Sequence, residues 1–269
     1  MHEYYPTRTE ALVFSACGKE IAASVGPGAT LIDLGAGNCA KAMSLFDLLQ
    51  PAHYVAVDIS VEFVRRAVQR LAAAYPGIAM TGVGMDFSTS LTLPGELVEE
   101  LEQATPLFFY PGSSIGNFPP AQALAFLQRL QAQAPGGGLL IGVDLVKDPE
   151  VLRLAYDDAL GVTAAFNRNM LRNLNRILGS DFEPDRWDHV ALFNEVQSRV
   201  EMHLQAKEDV TVRWEGGERH FASGERIHTE SACKYTVERF DAMLRQAGFR
   251  AVRHWVDEER LYAVFHAVN

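Results

Sequence analysis

The chain has 269 residues, 48% hydrophobic and 22% charged, with a formal net charge of −10. A chain of this length buries a substantial core without disulfides or metals. Its acidic balance repels a phosphate backbone, so no nucleic-acid partner is expected. Three cysteines without a C-x-x-C pattern and eight histidines without metal-type spacing point to neither a disulfide framework nor a metal site. The N-terminus is not a secretion signal, and no apolar run reaches the ~18 residues of a membrane span. A small-molecule substrate, a monomer and a cytoplasmic location are the expectations.

In chain order, Thr7-Arg8-Thr9-Glu10 matches a capping box, opening a helix that runs to Gly26-Pro27-Gly28. ATLIDLGAG (29–37) is a buried strand feeding a tight turn, and AKAMSLFDLLQ (40–50) is a helix. YVAVDIS (54–60) is a second strand ending in Asp58, and a helix follows it as far as Pro76. GIAMTGVGMDF (77–87) is a third strand, with Asp86 and Phe87 at its end. LFFYPGSSIGNF (107–118) is a fourth, running into a loop that carries Gly112 and Asn117. A helix from Pro120 to the glycines at 136–138 and the strand LLIGVDLV (139–146) complete the run. Strands alternating with helices define an α/β fold with a doubly wound, Rossmann-like parallel sheet.

After Val146 the pattern changes. Residues 149–178 read as helical, and 196–231 as β with a hairpin at Gly216-Gly217. A helix (236–249) and two strands (250–257 and 260–268) follow, expected to complete the sheet with an antiparallel edge. Residues 8–146 and 235–269 are therefore expected to form one domain. Residues 1–7 and 147–234 are expected to form a second, inserted α+β domain.

Gly35-Ala36-Gly37 between strand and helix lets backbone approach a ligand, although a simple tight turn has the same sequence. The third glycine of a dinucleotide fingerprint is replaced by Cys39-Ala40, which disfavours NAD. Asp58, about 20 residues on, suits the ribose hydroxyls of an adenosine. Asp86 with Phe87 suits an adenine, by a hydrogen bond to the exocyclic amine and a stacking face. Each of these acids also fits a turn cap. Together, at successive strand ends, they form the constellation of a class I S-adenosylmethionine (SAM) methyltransferase, with SAM as cofactor. Lys41 is placed to reach the cofactor carboxylate, or is a solvated helix lysine. Asn117 is placed to orient an attacking amine, or is a turn residue.

The sequence resembles the L-histidine Nα-methyltransferases of ergothioneine biosynthesis over nearly its whole length. The resemblance is carried by YYPTRTE (4–10), LGAGNCAK (34–41), GSSIGN (112–117), DLVKD (144–148), YDDALGVTAAFNRN (156–169), VEMHL (200–204) and TESACKY (229–235). It implies two domains, the smaller binding substrate. It implies that Gly35, Gly37, Lys41, Asp58, Asp86 and Phe87 hold SAM. Asn117 and Tyr156 would hold the α-amino and carboxylate groups and serve catalysis by orienting the amine. Tyr4, Gly112, Thr163 and Phe166 would line the pocket, and Met202 and Glu230 would meet the substrate side chain, with a third contact at Ala232. The implied product is the trimethylated amine.

Two departures stand out. Family members have Glu-x-Ser where this chain has Glu230-Ser231-Ala232, and alternation turns Ser231 to the other face. Members also carry a longer N-terminal lead-in, so a more open or differently lidded pocket is expected. Three readings remain open: a histidine enzyme, a relative acting on another amino acid such as tryptophan or a thiohistidine, and a non-catalytic binder.

Overall fold

The long apolar runs become strands of one seven-stranded sheet in a computed structural model that describes residues 3–95, 97, 99 and 104–269. Helix α1 (Pro6–Val25) leads into β1 (Thr30–Leu34), the short helices α2 (Ala40–Met43) and α3 (Phe46–Leu49), β2 (His53–Asp58), α4 (Val61–Ala74) and β3 (Ala79–Gly84). Then come β4 (Pro106–Tyr110), a 3-10 turn (Ser114–Asn117), α5 (Pro120–Ala132) and β5 (Gly138–Asp144). The inserted segment holds α6 (Pro149–Tyr156), α7 (Val162–Leu178), β6 (Trp187–Asn194), β7 (Arg199–Ala206), β8 (Val210–Trp214), β9 (Gly217–Phe221) and β10 (Arg226–Cys233). Helix α8 (Val237–Gln246), β11 (Ala251–Val256) and β12 (Tyr262–Val268) close the chain.

The chain divides into two units. One is Pro6–Leu145 with Tyr235–Asn269, and the other is Met1–Tyr5 with Val146–Lys234. The larger unit holds the seven-stranded sheet, in the order β11-β12-β5-β4-β1-β2-β3. β3, β2, β1, β4 and β5 pair in parallel. Strands β1, β4 and β5 are buried throughout, as expected of a sheet covered on both faces. The smaller unit holds a three-stranded antiparallel sheet, β10-β7-β6, and the hairpin β8-β9. Its core gathers Trp187, Leu204, Val212 and Phe221.

Three expectations are corrected. Helix α1 starts at Pro6, whose fixed φ and missing N–H suit a first helical position, so Thr7 lies inside it and no capping box forms. Residues 40–50 are two helices, not one: Ser44 donates its hydroxyl to the Lys41 carbonyl at 2.6 Å, a local bond that competes with helix propagation. Strand β6 was unexpected, because His189 interrupts its apolar alternation. The closing pair does complete the sheet with an antiparallel edge, and β12 lies between β5 and β11, antiparallel to both. The reason is burial: six of the seven residues of β12 are buried, whereas β11 is half exposed and takes the edge.

Candidate functional site

Strands β1, β2 and β3 spread to one side, and the chain then returns to place β4 on the other side of β1. Such a reversal is where open α/β sheets take up ligands. Two loops leave it, one after β1 and one after β4.

In the first loop Gly35 and Gly37 have φ of +75° and +52°, a left-handed backbone that other residues adopt at a cost. Gly35 and Ala36 donate their amides to the Val57 carbonyl at 2.8 and 3.1 Å, which ties the loop to β2. Gly37 donates to Asp58 Oδ2 at 3.0 Å, and Ser60 to Oδ1 at 2.9 Å. A carboxylate offers about four acceptor positions, so Asp58 is oriented by these bonds and keeps capacity for ligand hydroxyls. The Phe87 ring lies 3.7 Å from where a Gly35 Cβ would stand, beside exposed backbone. The ring packs edge-on to Tyr110, with centroids 5.9 Å apart. Asp86 is exposed and accepts the Ser88 hydroxyl and amide, which lower its pKa.

The second loop is built on Glu10 of α1, only 2% exposed. Its Oε1 accepts from the Gly112 amide at 2.6 Å and the Tyr262 hydroxyl at 2.7 Å, and its Oε2 receives Lys41 at 2.5 Å. The Lys41 ammonium is thus anchored on a carboxylate of this chain. A Cβ at Gly142 would fall 2.1 Å from Glu10 Oε1, so the close approach requires glycine there. Ser113 (φ 57°) is held by accepting the Asp144 amide at 2.9 Å, and Asn117 stands exposed at the end of the 3-10 turn. Beside Glu10 and Lys41 lies a cavity of about 460 Å³ lined also by Phe14, Ala40 and Leu45.

Asp33, also 2% exposed, ends two residues before Gly35 and accepts the Tyr54 hydroxyl at 2.8 Å. Burial pushes its pKa up to about 7, and the Tyr54 hydrogen bond opposes the rise.

In the smaller unit, pairing sorts the side chains by face. Glu230 is opposite Met202 and Ala232 opposite Val200, while Ser231 is opposite Glu201 on the reverse face. A register irregularity between His228 and Glu230 sets this phase. Ala232 packs with Leu152 and Val200, and Tyr156 and Phe193 border the cluster. Tyr4 meets Tyr156 edge-on, with centroids 6.2 Å apart. Lys234, 3% exposed, donates to Tyr156 Oη at 2.8 Å and lies 4.8 Å from that ring's centroid. Burial raises the pKa of Glu230, and the Lys234 charge opposes the rise. His189 Nε2 donates to the Tyr156 carbonyl at 2.7 Å, leaving Nδ1 to accept from Asn167 at 2.9 Å; this pins the end of α6. Thr163 lies in the first turn of α7, where its amide donates to Asp158 at 2.7 Å, and Phe166 is 68% exposed on the same helix. Tyr4, Tyr156, Met202, Glu230 and Ala232 thus share one unit, with Thr163 and Phe166 on its helix α7.

On the reverse face, Glu201, His203 and His228 offer ligand atoms within 4.8 Å of one another. Arg199 binds Glu201 at 2.7 Å, and the two imidazoles stack with planes 26° apart, so their in-plane lone pairs do not converge.

Sequence reading missed Glu10, Asp33, His189 and Lys234. Only Lys234 carried a usable signal: positions 230, 232 and 234 alternate onto one face.

The sheet and the two glycine-bearing loops with Asp58 and Phe87 define a class I SAM-dependent methyltransferase. The model of the family described as histidine-specific, SAM-dependent methyltransferases matches residues 1–269, and the chain belongs to that family. The histidine N-alpha-methyltransferase of Mycolicibacterium smegmatis is 40% identical over 262 residues, 95% of this chain and 79% of that protein. Ergothioneine biosynthesis protein 1 of Neurospora crassa is 29% identical over 266 residues, 95% of this chain and 29% of that one. The solved CcbJ methyltransferase of Streptomyces caelestis matches at a TM-score of 0.53 and 16% identity, covering 94% of this chain and 95% of its own. That last likeness shows the fold. Among the described residues no helix is long and apolar enough to cross a membrane.

Asp58→Ala removes a carboxylate oriented by two backbone amides. The expected outcome is at least a tenfold weaker affinity for S-adenosylhomocysteine by calorimetry, since a hydrogen bond to a charged group contributes ~1.5–3 kcal/mol. Near-normal affinity would sink the assignment of Asp58 to the cofactor.

Asp33 has a testable pH signature. Its folded pKa of about 7 exceeds the value of ~3.9 in an unfolded chain. The fold therefore holds the proton more tightly, and the stability this confers is complete below ~pH 4, declines as pH rises and is lost above about 7. Asp33→Asn should melt higher than the wild type at pH 8, by roughly 2–4 °C per kcal/mol. The gap should close toward pH 4; a gap independent of pH would contradict a protonated Asp33.

Proposed function

We propose that the protein methylates the α-amino nitrogen of L-histidine, to the trimethyl product hercynine, as a step of ergothioneine biosynthesis. The observation that carries this reading is the half-buried carboxylate of Glu230 on one sheet face with Met202, in a chain of the histidine-specific family. A desolvated carboxylate gains most from an N–H partner, and an imidazole presents one.

S-adenosylmethionine supplies an electrophilic methyl group on a sulfonium. Asp58 takes the ribose hydroxyls, Phe87 and Asp86 take the adenine, and Gly35 and Gly37 give the backbone room to approach. The exposed Gly35 backbone beside the Phe87 ring supports this fit. Lys41, held by Glu10, would pair with the cofactor carboxylate through its remaining hydrogens. Asn117 and Tyr156 hold the amino and carboxylate groups of the substrate. Tyr4, Gly112, Thr163 and Phe166 line the pocket, and Met202 and Ala232 border the substrate side chain. In these roles residues 8–146 and 235–269 serve the cofactor, and residues 1–7 and 147–234 serve the substrate.

The catalytic contribution is positioning, which in well-oriented reactions is worth ~7–11 kcal/mol. The amine loses its proton to solvent on binding, and Asn117 and Tyr156 orient the nitrogen without holding every hydrogen, so repeated transfer remains open. The protein works as a monomer in the cytoplasm, without nucleic acid. The three free cysteines and the acidic charge support that location and that exclusion.

Ala232 motivates a second reading, in which another amino acid is preferred: an indole also presents one N–H and tolerates a small neighbour. The deciding experiment offers purified protein and SAM all twenty amino acids and weighs the products. Histidine gaining three methyls supports the first reading; a preferred competitor replaces it with the second. Under the first reading, Ala232→Ser restores a hydroxyl beside the imidazole. The KM for histidine should fall by roughly tenfold for a hydrogen bond of ~1.4 kcal/mol. An unchanged or higher KM would count against imidazole at this position.

A further inference from the structure

Lys234 is buried, yet it carries no role in the site as read from sequence. Its ammonium has three donors and no acceptor. At 2.8 Å from Tyr156 Oη, it therefore donates, and the tyrosine oxygen accepts. The one phenolic proton is consequently turned away from Lys234. With Lys234 charged, the phenolic proton of Tyr156 can go only to a group other than Lys234.

The chemistry of the neighbouring groups says which substrate atom such a donor suits. Glu230 lies in β10, four residues before Lys234, which directly follows that strand, and Glu230 feels its charge. This gives the smaller unit an anionic point and a cationic point. The anionic point attracts an N–H and repels a carboxylate. The cationic point, with the phenolic donor, attracts a carboxylate. A phenolic proton given to the amine would occupy the lone pair that attacks, so the productive acceptor is the carboxylate, and Tyr156 orients the nitrogen through that anchor.

We propose that Lys234 is a positioning residue that holds Tyr156 as a donor to the substrate carboxylate, and so sets the preference for α-amino acids over amines that lack the carboxylate. This rests on the reading that the protein methylates an α-amino acid bound by Tyr156.

The test compares histidine with histamine, which keeps the imidazole and the amine but has no carboxylate. For the full-length protein with SAM, kcat/KM is measured on both. Lys234→Met keeps the length and removes the charge. The ratio of histidine to histamine should fall at least ~10-fold, mainly through a higher KM for histidine, with histamine little changed. Lys234→Arg should keep most of the ratio. Should Lys234→Met fail to fold, Tyr156→Phe is read in its place and should lower the same ratio. An unchanged ratio in the folded variant overturns the proposal, as does an equal loss on both substrates, which marks a purely structural lysine. A wild-type protein that methylates no amino acid overturns the parent reading and this one with it. Methylation of histidine with an unchanged ratio overturns this one alone.

Discussion

The carboxylate of Glu10 is the interaction on which the larger unit turns. A carboxylate withdrawn from water is costly unless each of its oxygens is met by a donor. Here the donors come from α2, from the loop after β4 and from β12, and Glu10 itself belongs to α1. Four segments distant in sequence are thereby fixed around the reversal of the sheet. Gly142 of β5 leaves the room this requires. The loop after β4 and the start of α2 inherit their positions from that cluster. Gly112 is held by its amide, Lys41 by its charge, and Ser113 is kept in a left-handed conformation by the neighbouring Asp144 amide. Strain of this kind persists only where the surroundings over-determine it.

The smaller unit reaches the same end by a different means. Its buried carboxylate, Glu201, is met by Asn194, Arg199 and His203 from β6 and β7 alone, and what organises the unit is two chemically distinct sheet faces. One face carries Met202, Val200, Glu230 and Ala232, and the other Glu201, Ser231 and Arg199. The irregularity between His228 and Glu230 matters because a slip of one residue exchanges the two faces. Glu230 would then join Glu201 and its arginine, and the carboxylate that gives the unit its anionic point would be neutralised. His189 adds a second constraint from β6, since its donation to the Tyr156 carbonyl sets where α6 ends.

Much of this was legible in the sequence, and the boundary is physical. Strands buried on both faces must be apolar throughout, so β1, β2, β4 and β5 announced themselves, and the glycines that end β1 marked a turn of left-handed backbone. The order of β11 and β12 was not legible, because it depends on which strand needs two neighbours, a property of the assembled sheet. Glu10 was misread for a related reason. A threonine three residues before a glutamate satisfies a local capping pattern, and only the folded chain shows that the glutamate serves partners 31, 102 and 252 residues away. The alternation that placed Glu230 and Ala232 on one face is a local rule and needed no tertiary knowledge. The same rule extended by two residues reaches Lys234, but a lysine in a polar-looking stretch is ordinarily solvated, so its burial was the surprise.

Ala232 bears on what selects the substrate. Its methyl lies in an apolar cluster with Leu152 and Val200, bordered by Tyr156 and Phe193. An alanine there leaves no buried polar group unsatisfied. A hydroxyl at the same point would need a partner, and with a substrate N–H absent it would lack one among these side chains. The site therefore carries no penalty in the unliganded protein, and it discriminates less sharply against side chains that cannot donate. On the proposed reading, selectivity shifts onto the groups whose charges are built in, Glu230 at one end and the Lys234–Tyr156 pair at the other. Such a site would recognise the separation between an N–H and a carboxylate before the ring that joins them.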